Sequence, residues 1–402
     1  MTHLSELSAR LQKATAVKYA VAAAAVLFVF SFPFANKFSI FTLWLLALSA
    51  ITTFLAYRKL NFKVIYLFPL LFFAFRMLSL AFSPPDITFK HIEYCLSLLL
   101  MPALFSLVRL TQAQVQWFLR GAFYALLIAV AVCWLVFLRY IASSEQTFLQ
   151  VFKDPKAYSA FFLGSTLFWH SSFISISLSA IIPVAFYLRA RASIKPLLMW
   201  VAVLLSATFI LLTGARIGVV VSGLTLALSL AYYQRYIPWI SKIGVLLAIA
   251  VVALFAYFSP YTITSDTPRT NLRSLGMRVI AEKPACGSGV YSMHRYITSE
   301  ETAEKYNAHY GYTFNHFHNT FIDETVQFGL VGGLLMVAFF AGVAFLAIRK
   351  KDFLLMAFLA TYLPFAYVES LFMSVKAIMP FMFWFCFLVS TQEERRKLRI
   401  EN

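Results

Sequence analysis

The chain is poor in charge. Only 13% of its 402 residues are Asp, Glu, Lys or Arg, about half the share of an ordinary soluble domain. Acids are the scarcer sign, 17 against 34 basic residues. A chain that is 61% hydrophobic cannot hide that much apolar surface in one water-facing core, which excludes a soluble globular fold. Cysteine is scarce as well. Cys95, Cys133 and Cys386 fall in apolar runs, and Cys286, in a polar stretch, has no evident disulfide partner. Metal-ligand spacing among the cysteines is absent. The first apolar run follows Arg10, Lys13 and Lys18 without a small-residue cleavage site, so it reads as an uncleaved signal anchor. No internal repeat and no separate soluble domain is evident.

What is present is a series of apolar runs, each near the roughly 20 residues that an α-helix needs to cross a bilayer. The runs cover 17–35, 38–57, 64–82, 91–109, 117–140, 171–189, 196–213, 216–233, 238–258, 320–348, 353–371 and 375–391. They predict an all-α polytopic membrane protein of about twelve transmembrane helices, with residues 1–402 forming a single membrane-embedded domain. In the run at 171–189, Ser171, Ser172, Ser175, Ser177 and Ser179 mark close helix–helix contact in lipid. The net charge of +17 does not indicate nucleic acid, because there is no basic stripe on a nucleic-acid-binding fold. Lys and Arg cluster instead in alternate short links, as at Arg58, Lys59 and Lys63, Arg189, Arg191 and Lys195, and Arg349, Lys350 and Lys351. That asymmetry predicts both termini inside. Two outer segments, 141–170 and 259–319, are too long to be turns, and loops of that length are usually functional.

The predicted outer face collects chemistry. His91, His170, His294, His309, His316 and His318 fall there, with Arg216, Arg269, Arg273, Arg278 and Arg295. A face rich in histidine and arginine suits an anionic group, although a solvated loop with incidental charges has the same composition. In the segment Asn315-His316-Phe317-His318-Asn319-Thr320-Phe321-Ile322-Asp323, Thr320 and Asp323 fit a capping box that starts a helix. His318 then lies just ahead of a helix N-terminus, where the dipole favours a neutral ring able to accept a proton, and the same end favours a phosphate. His316, His318 and His309 as metal ligands lack a cysteine or nearby carboxylate to complete the set. A plain interfacial cap is a further reading. Gly329 and Gly332, in Gly329-Leu330-Val331-Gly332, read as close-packing positions.

Arg216 lies in a very short outer link, Leu212-Thr213-Gly214-Ala215-Arg216. It is either a phosphate grip or a snorkelling interfacial side chain. Arg76, near the outer end of the third run and ahead of Ser79, Ser83, Pro84 and Pro85, is a phosphate ligand or half of an ion pair with an acid such as Glu369. From Arg269 to Gly289, the middle predicts an amphipathic surface helix. Leu272, Leu275, Val279 and Ile280 form its apolar side, and Arg269, Arg273 and Lys283 face water or substrate.

Taken in order, these segments resemble the O-antigen ligase and polymerase superfamily of membrane glycosyltransferases. The likeness covers Leu211 to Gly333 and the twelve-run layout. It consists of an arginine in a short outer link, then a long periplasmic loop opening with arginine and closing on Pro284-x-x-Gly287-x-Gly289, then His318-Asn319 and Gly329-Leu330-x-Gly332. The chain departs from the pattern in the Gly-Ala before Arg216 and in a missing aromatic within the Pro284 to Gly289 stretch. The resemblance implies an O-antigen ligase of the bacterial inner membrane. Its large periplasmic loop, 259–319 between the ninth and tenth helices, would carry part of the active site. The implied donor is polysaccharide on undecaprenyl pyrophosphate, the acceptor is lipid A–core, and the transfer is inverting, with no cofactor or metal. His318 is implied as base and Arg216 and Arg269 as leaving-group stabilisers. Arg273 and Arg278 are alternatives in register, and Arg76, His316 and Asn319 are implied in substrate binding. A polymerase of the same superfamily is the nearest alternative, since Arg278-x10-Gly289 has the spacing of one polymerase motif, without a second copy at Arg139 or Arg216. A protein O-oligosaccharyltransferase usually carries a C-terminal extension, whereas this chain ends soon after its last run. A lipid-linked-sugar transporter, more distant, calls for charges deep in several helices and paired repeats.

Overall fold

A computed structural model describes residues 15–34, 36–81, 87–89, 93–143, 171–213, 215–233, 267–290, 292, 296 and 316–400. The predicted run at 238–258, most of the 141–170 segment, and His91, His170, His294 and His309 lie outside them. Among the described residues the chain is essentially all α. Six stretches are long and apolar enough to cross a membrane: Lys37–Tyr57, Val64–Ala81, Gln112–Ser143, Ser171–Arg189, Arg216–Tyr233 and Thr320–Arg349. Five shorter apolar helices accompany them, and together they make a multi-pass membrane protein.

In chain order the helices are α1 (Thr15–Ser31), α2 (Asn36–Tyr57), α3 (Leu67–Ala81), α4 (Ser97–Ser106), α5 (Gln112–Ser143), α6 (Ser171–Ser179), α7 (Ile181–Arg189), α8 (Pro196–Leu212), α9 (Arg216–Tyr233), α10 (Thr267–Glu282), α11 (Thr320–Arg349), α12 (Phe353–Val368), α13 (Val375–Ser390) and α14 (Gln392–Ile400). The centre of the bundle is α13, buried from Lys376 to Val389. A helix apolar on every side belongs inside a bundle. Its rings are the contact: Phe383 meets Phe28 of α1 at 5.4 Å and Phe105 of α4 at 5.6 Å, and Phe387 meets Phe118 of α5 at 4.2 Å. Tilted and edge-on pairs of this kind are worth about 0.5–1.5 kcal/mol beyond burial, and such packing drives helix association in lipid.

The serines of α6 make the close approach expected of them. Ser175 shares a 2.7 Å hydrogen bond with Thr213 at the end of α8. A Cβ on Gly218 of α9 would lie 2.3 Å from that of Ser175, so α6 and α9 touch where only glycine fits.

Two ends of the bundle can be told apart by their polar ties. At one, Asp352 caps α12 through Leu355 N–H and pairs with Arg395, and Tyr232 donates to the Lys351 carbonyl at 3.0 Å. At the other, Lys376 donates to the carbonyl of Phe34 and the hydroxyl of Ser39, tying the α1–α2 turn to the start of α13. The histidine segment lies at that second end, beside Glu369 and the start of α13.

Candidate functional site

Three chain segments build the site: the first turn of α10, the entry to α11 and the exit from α12. The entry to α11 is held by Asn319. Its side chain accepts from the N–H groups of Phe321 and Ile322 at 3.0 and 3.1 Å, a cap worth about 1 kcal/mol. This revises the capping box expected of Thr320 and Asp323. Asp323 does reach back, but to the N–H of Phe317 at 3.0 Å. Thr320 turns its hydroxyl to the other strand of the site, donating to the Glu369 carbonyl and accepting from Leu371 N–H, both at 2.8 Å. The entry of one helix is thereby fastened to the exit of another.

That fastening puts a carboxylate beside the histidine. Glu369 caps the end of α12, and its backbone is extended (φ −139°, ψ 159°). Its Oε2 lies 3.0 Å from Nδ1 of His318, and its Oε1 lies 3.1 Å from Nη2 of Arg269. Ser172, at the start of α6, donates to Oε1 at 3.4 Å. An ionised carboxylate only accepts, so Nδ1 is the donor in this contact. Glu369 is 4% exposed, His318 15% and Arg269 29%. The arrangement is therefore a buried carboxylate beneath a partly exposed histidine and a partly exposed guanidinium. His318 itself is left-handed (φ 51°), a conformation that costs an L-residue about 1–2 kcal/mol and that recurs at functional sites.

α10 forms as expected, and Leu272 and Val279 are buried on it. Its apolar side packs on Phe317, Ile322 and Val326 of the α11 entry. This seat aims Arg269 at Glu369. One turn later, Arg273 donates to the Tyr367 carbonyl at 3.2 Å, with its guanidinium 5.0 Å from that ring. Arg278 is nine residues beyond Arg269, half a turn around a helix of about 100° per residue, and it is exposed.

The loop after α10 closes on a break in α11. Gly329 has φ 67°, ψ −164° inside the helix, a region essentially confined to glycine. The break frees backbone groups that must be satisfied elsewhere. The Val326 and Gln327 carbonyls accept from Ser288 and Gly289 N–H at 2.8 and 2.9 Å, and Leu330 N–H donates to the Pro284 carbonyl at 2.8 Å. A Cβ on Gly287 would stand 2.4 Å from Gly329 N, and one on Gly329 would stand 2.2 Å from the Ala285 carbonyl oxygen. The two glycine motifs, far apart in sequence, are one backbone junction. Close packing, the role expected of Gly329, is thus only part of what it does.

Arg216 begins α9 and is half-buried. Thr213 and Gly218, on either side of it in sequence, both meet Ser175. Ser172, which touches Glu369, is three residues earlier on α6. Arg216 thus enters the bundle on the helix that lies next to the Glu369 cluster.

Arg76 is placed differently. It is fully buried and pairs with Glu324 at 2.5 Å, with no exposure of either side chain. Phe328 and Phe372 lie 5.2 and 5.6 Å from its guanidinium. Of the two readings of Arg76, the ion pair is the one seen, with Glu324 in place of Glu369. His316 lies with its ring centroid 4.4 Å from that of His318, and Glu369 supplies the nearby carboxylate that the histidine segment lacked in sequence. Glu369 is the site residue that motif reasoning missed as a partner of His318. Its signal was an acid in an otherwise apolar run, which in a membrane protein calls for a partner.

Residues 201–337 match the family model described as O-Antigen ligase. The match contains Arg216, Arg269, the glycine junction and His318, and it stops before Glu369. No curated protein matches the chain.

Proposed function

We propose that this chain, whose residues 201–337 match the family model described as O-Antigen ligase, is an O-antigen ligase. In this reading it moves polysaccharide from undecaprenyl pyrophosphate to a sugar hydroxyl of lipid A–core, at the periplasmic face of the inner membrane, with both termini cytoplasmic. The observation that carries the reading is the triad of His318, Glu369 and Arg269, with 3.0 and 3.1 Å contacts and partly exposed outer members.

In this reading the ring proton of His318 sits on Nδ1, facing Glu369. Nε2 of His318 takes the proton of the acceptor hydroxyl as its oxygen attacks the anomeric carbon from the face opposite the leaving group. The new glycosidic C–O bond forms as the bond from the anomeric carbon to pyrophosphate breaks, and configuration inverts. Glu369 holds the ring in the productive tautomer and offsets the imidazolium charge as it forms. Arg269 and Arg216 oppose the charge that grows on the departing pyrophosphate, for which the guanidinium fork is suited. Arginines supply this charge without a metal. Arg273 lines the same approach and His316 flanks the acceptor side, while Asn319 fixes the start of α11. Arg76, deep behind the site, supports α11 through Glu324, and exposed Arg278 is outside the reacting cluster. Lipid-anchored donor and acceptor both reach a site at the end of a helical bundle from within the leaflet.

The test is reconstitution. The purified chain, given a lipid-pyrophosphate-linked glycan and lipid A–core, is expected to form the conjugate without ATP. Full transfer by a properly inserted His318→Ala protein would defeat the assignment. In cells, deletion is expected to leave the core bare while lipid-linked polymer accumulates. A core bearing one repeat unit would move the assignment to a polymerase.

A further inference from the structure

Among the described residues, His316, His318 and Glu369 form the one group of three histidine, cysteine or carboxylate side chains whose ligand atoms converge, all within 4.8 Å of one another. We propose that these three side chains are a binding site for a borderline divalent transition metal, zinc above all, and that metal bound there switches the transferase off. The inhibitory half rests on the function proposed above; the binding half does not.

Two imidazoles and a carboxylate are a donor set that suits zinc, with a fourth position left to water. Ligands about 2.0–2.2 Å from a tetrahedral ion stand roughly 3.3–3.5 Å apart. The Nδ1 to Oε2 distance of 3.0 Å is near that already. The third ligand atom, on partly exposed His316, lies within 4.8 Å of the other two. The entry to α11 and the exit from α12 are pinned together through Thr320, so two of the three ligands come from segments already fixed. Binding uses neutral imidazoles and ionised carboxylate, and any imidazole proton displaced passes to solvent. Arg269, 3.1 Å from Glu369, repels a dication. The site is therefore weaker than a structural zinc site, as a reversible inhibitory site requires. Occupied, it engages the base and its orienting acid together. Magnesium and calcium, which take oxygen ligands in larger number, are poor fits.

The experiment uses the full chain in detergent, stripped of metal, with zinc titrated against a fluorescent chelator and cobalt followed by its visible absorption. One zinc per chain is expected, with tetrahedral cobalt bands. Affinity should fall at least tenfold in His316→Ala and in Glu369→Gln, and stay unchanged in His309→Ala. Arg269→Gln should tighten zinc, by about tenfold on charge alone, a direction that a merely structural role for Arg269 would not produce. Thermal unfolding of each variant shows that it is folded. Equal zinc affinity in wild type and His316→Ala, or loss only in His309→Ala, overturns the site. In the transfer assay, zinc should inhibit wild type, and His316→Ala, normalised to its own metal-free rate, should need at least tenfold more zinc. Bound zinc that leaves transfer untouched overturns the inhibition. Absence of transfer from metal-free wild type counts against the ligase reading alone, because binding is read without turnover.

Discussion

Two arginine–carboxylate pairs stand at the same end of the bundle, and they differ in access to water. Arg76 and Glu324 are sealed, at zero exposure, between phenylalanine rings. Arg269 and Glu369 share their contact with a histidine, and Arg269 is open to solvent. The sealed pair has nothing left to offer a substrate. Its charges answer each other, and removing one would strand the other in an apolar setting. The open pair has one buried carboxylate facing two partly exposed groups, a histidine and an arginine. Two pairs of the same residue types, each joining separate helices, thus differ in burial.

The largest expected difference between the pairs is in rate. His318→Asn keeps a residue that tolerates the left-handed backbone but supplies no base. Transfer in the reconstituted assay should fall by about 10²–10⁴-fold, with the unfolding temperature unchanged. Next, Arg76→Leu should cost about 3–5 kcal/mol of stability, read as loss of folded protein in detergent. Arg76→Leu with Glu324→Leu should recover most of that loss, since an apolar pair of similar volume replaces a buried ion pair well. No such rescue of transfer is expected from removing Arg269 and Glu369 together, and recovery there would erase the distinction. Arg269→Ala alone should slow transfer about 10²–10³-fold with little effect on stability. A smaller effect belongs to Gly329→Ala. Its backbone and the carbonyl 2.2 Å from a new Cβ oppose the change by about 1–3 kcal/mol, and the 284–289 loop should become faster in amide exchange. Smallest is Asn319→Ala, about 1 kcal/mol, seen as fraying at the start of α11.

Much of the architecture was legible because membrane helices announce themselves by length and hydropathy. Each predicted run within the described residues corresponds to an apolar helix. The start of α11, the apolar side of α10 and the close approach at Ser175 were also readable, since each depends on local spacing. The partners were not. The ion-pair reading of Arg76 offers an acid such as Glu369, yet its partner is Glu324. Gly287 belongs to the Pro284 motif and Gly329 reads as a packing position, yet the two form one junction.

What the sequence determined by itself was therefore one-dimensional: which segments are helical and apolar, and where a helix begins. The tertiary structure decided which acid meets which cation, and which of them water can reach. The reason is physical. Helix formation and lipid solubility are set by neighbours a few residues away, whereas Glu369 reaches His318 and Arg269 across 51 and 100 residues, a meeting that only the packing of α10, α11 and α12 can arrange.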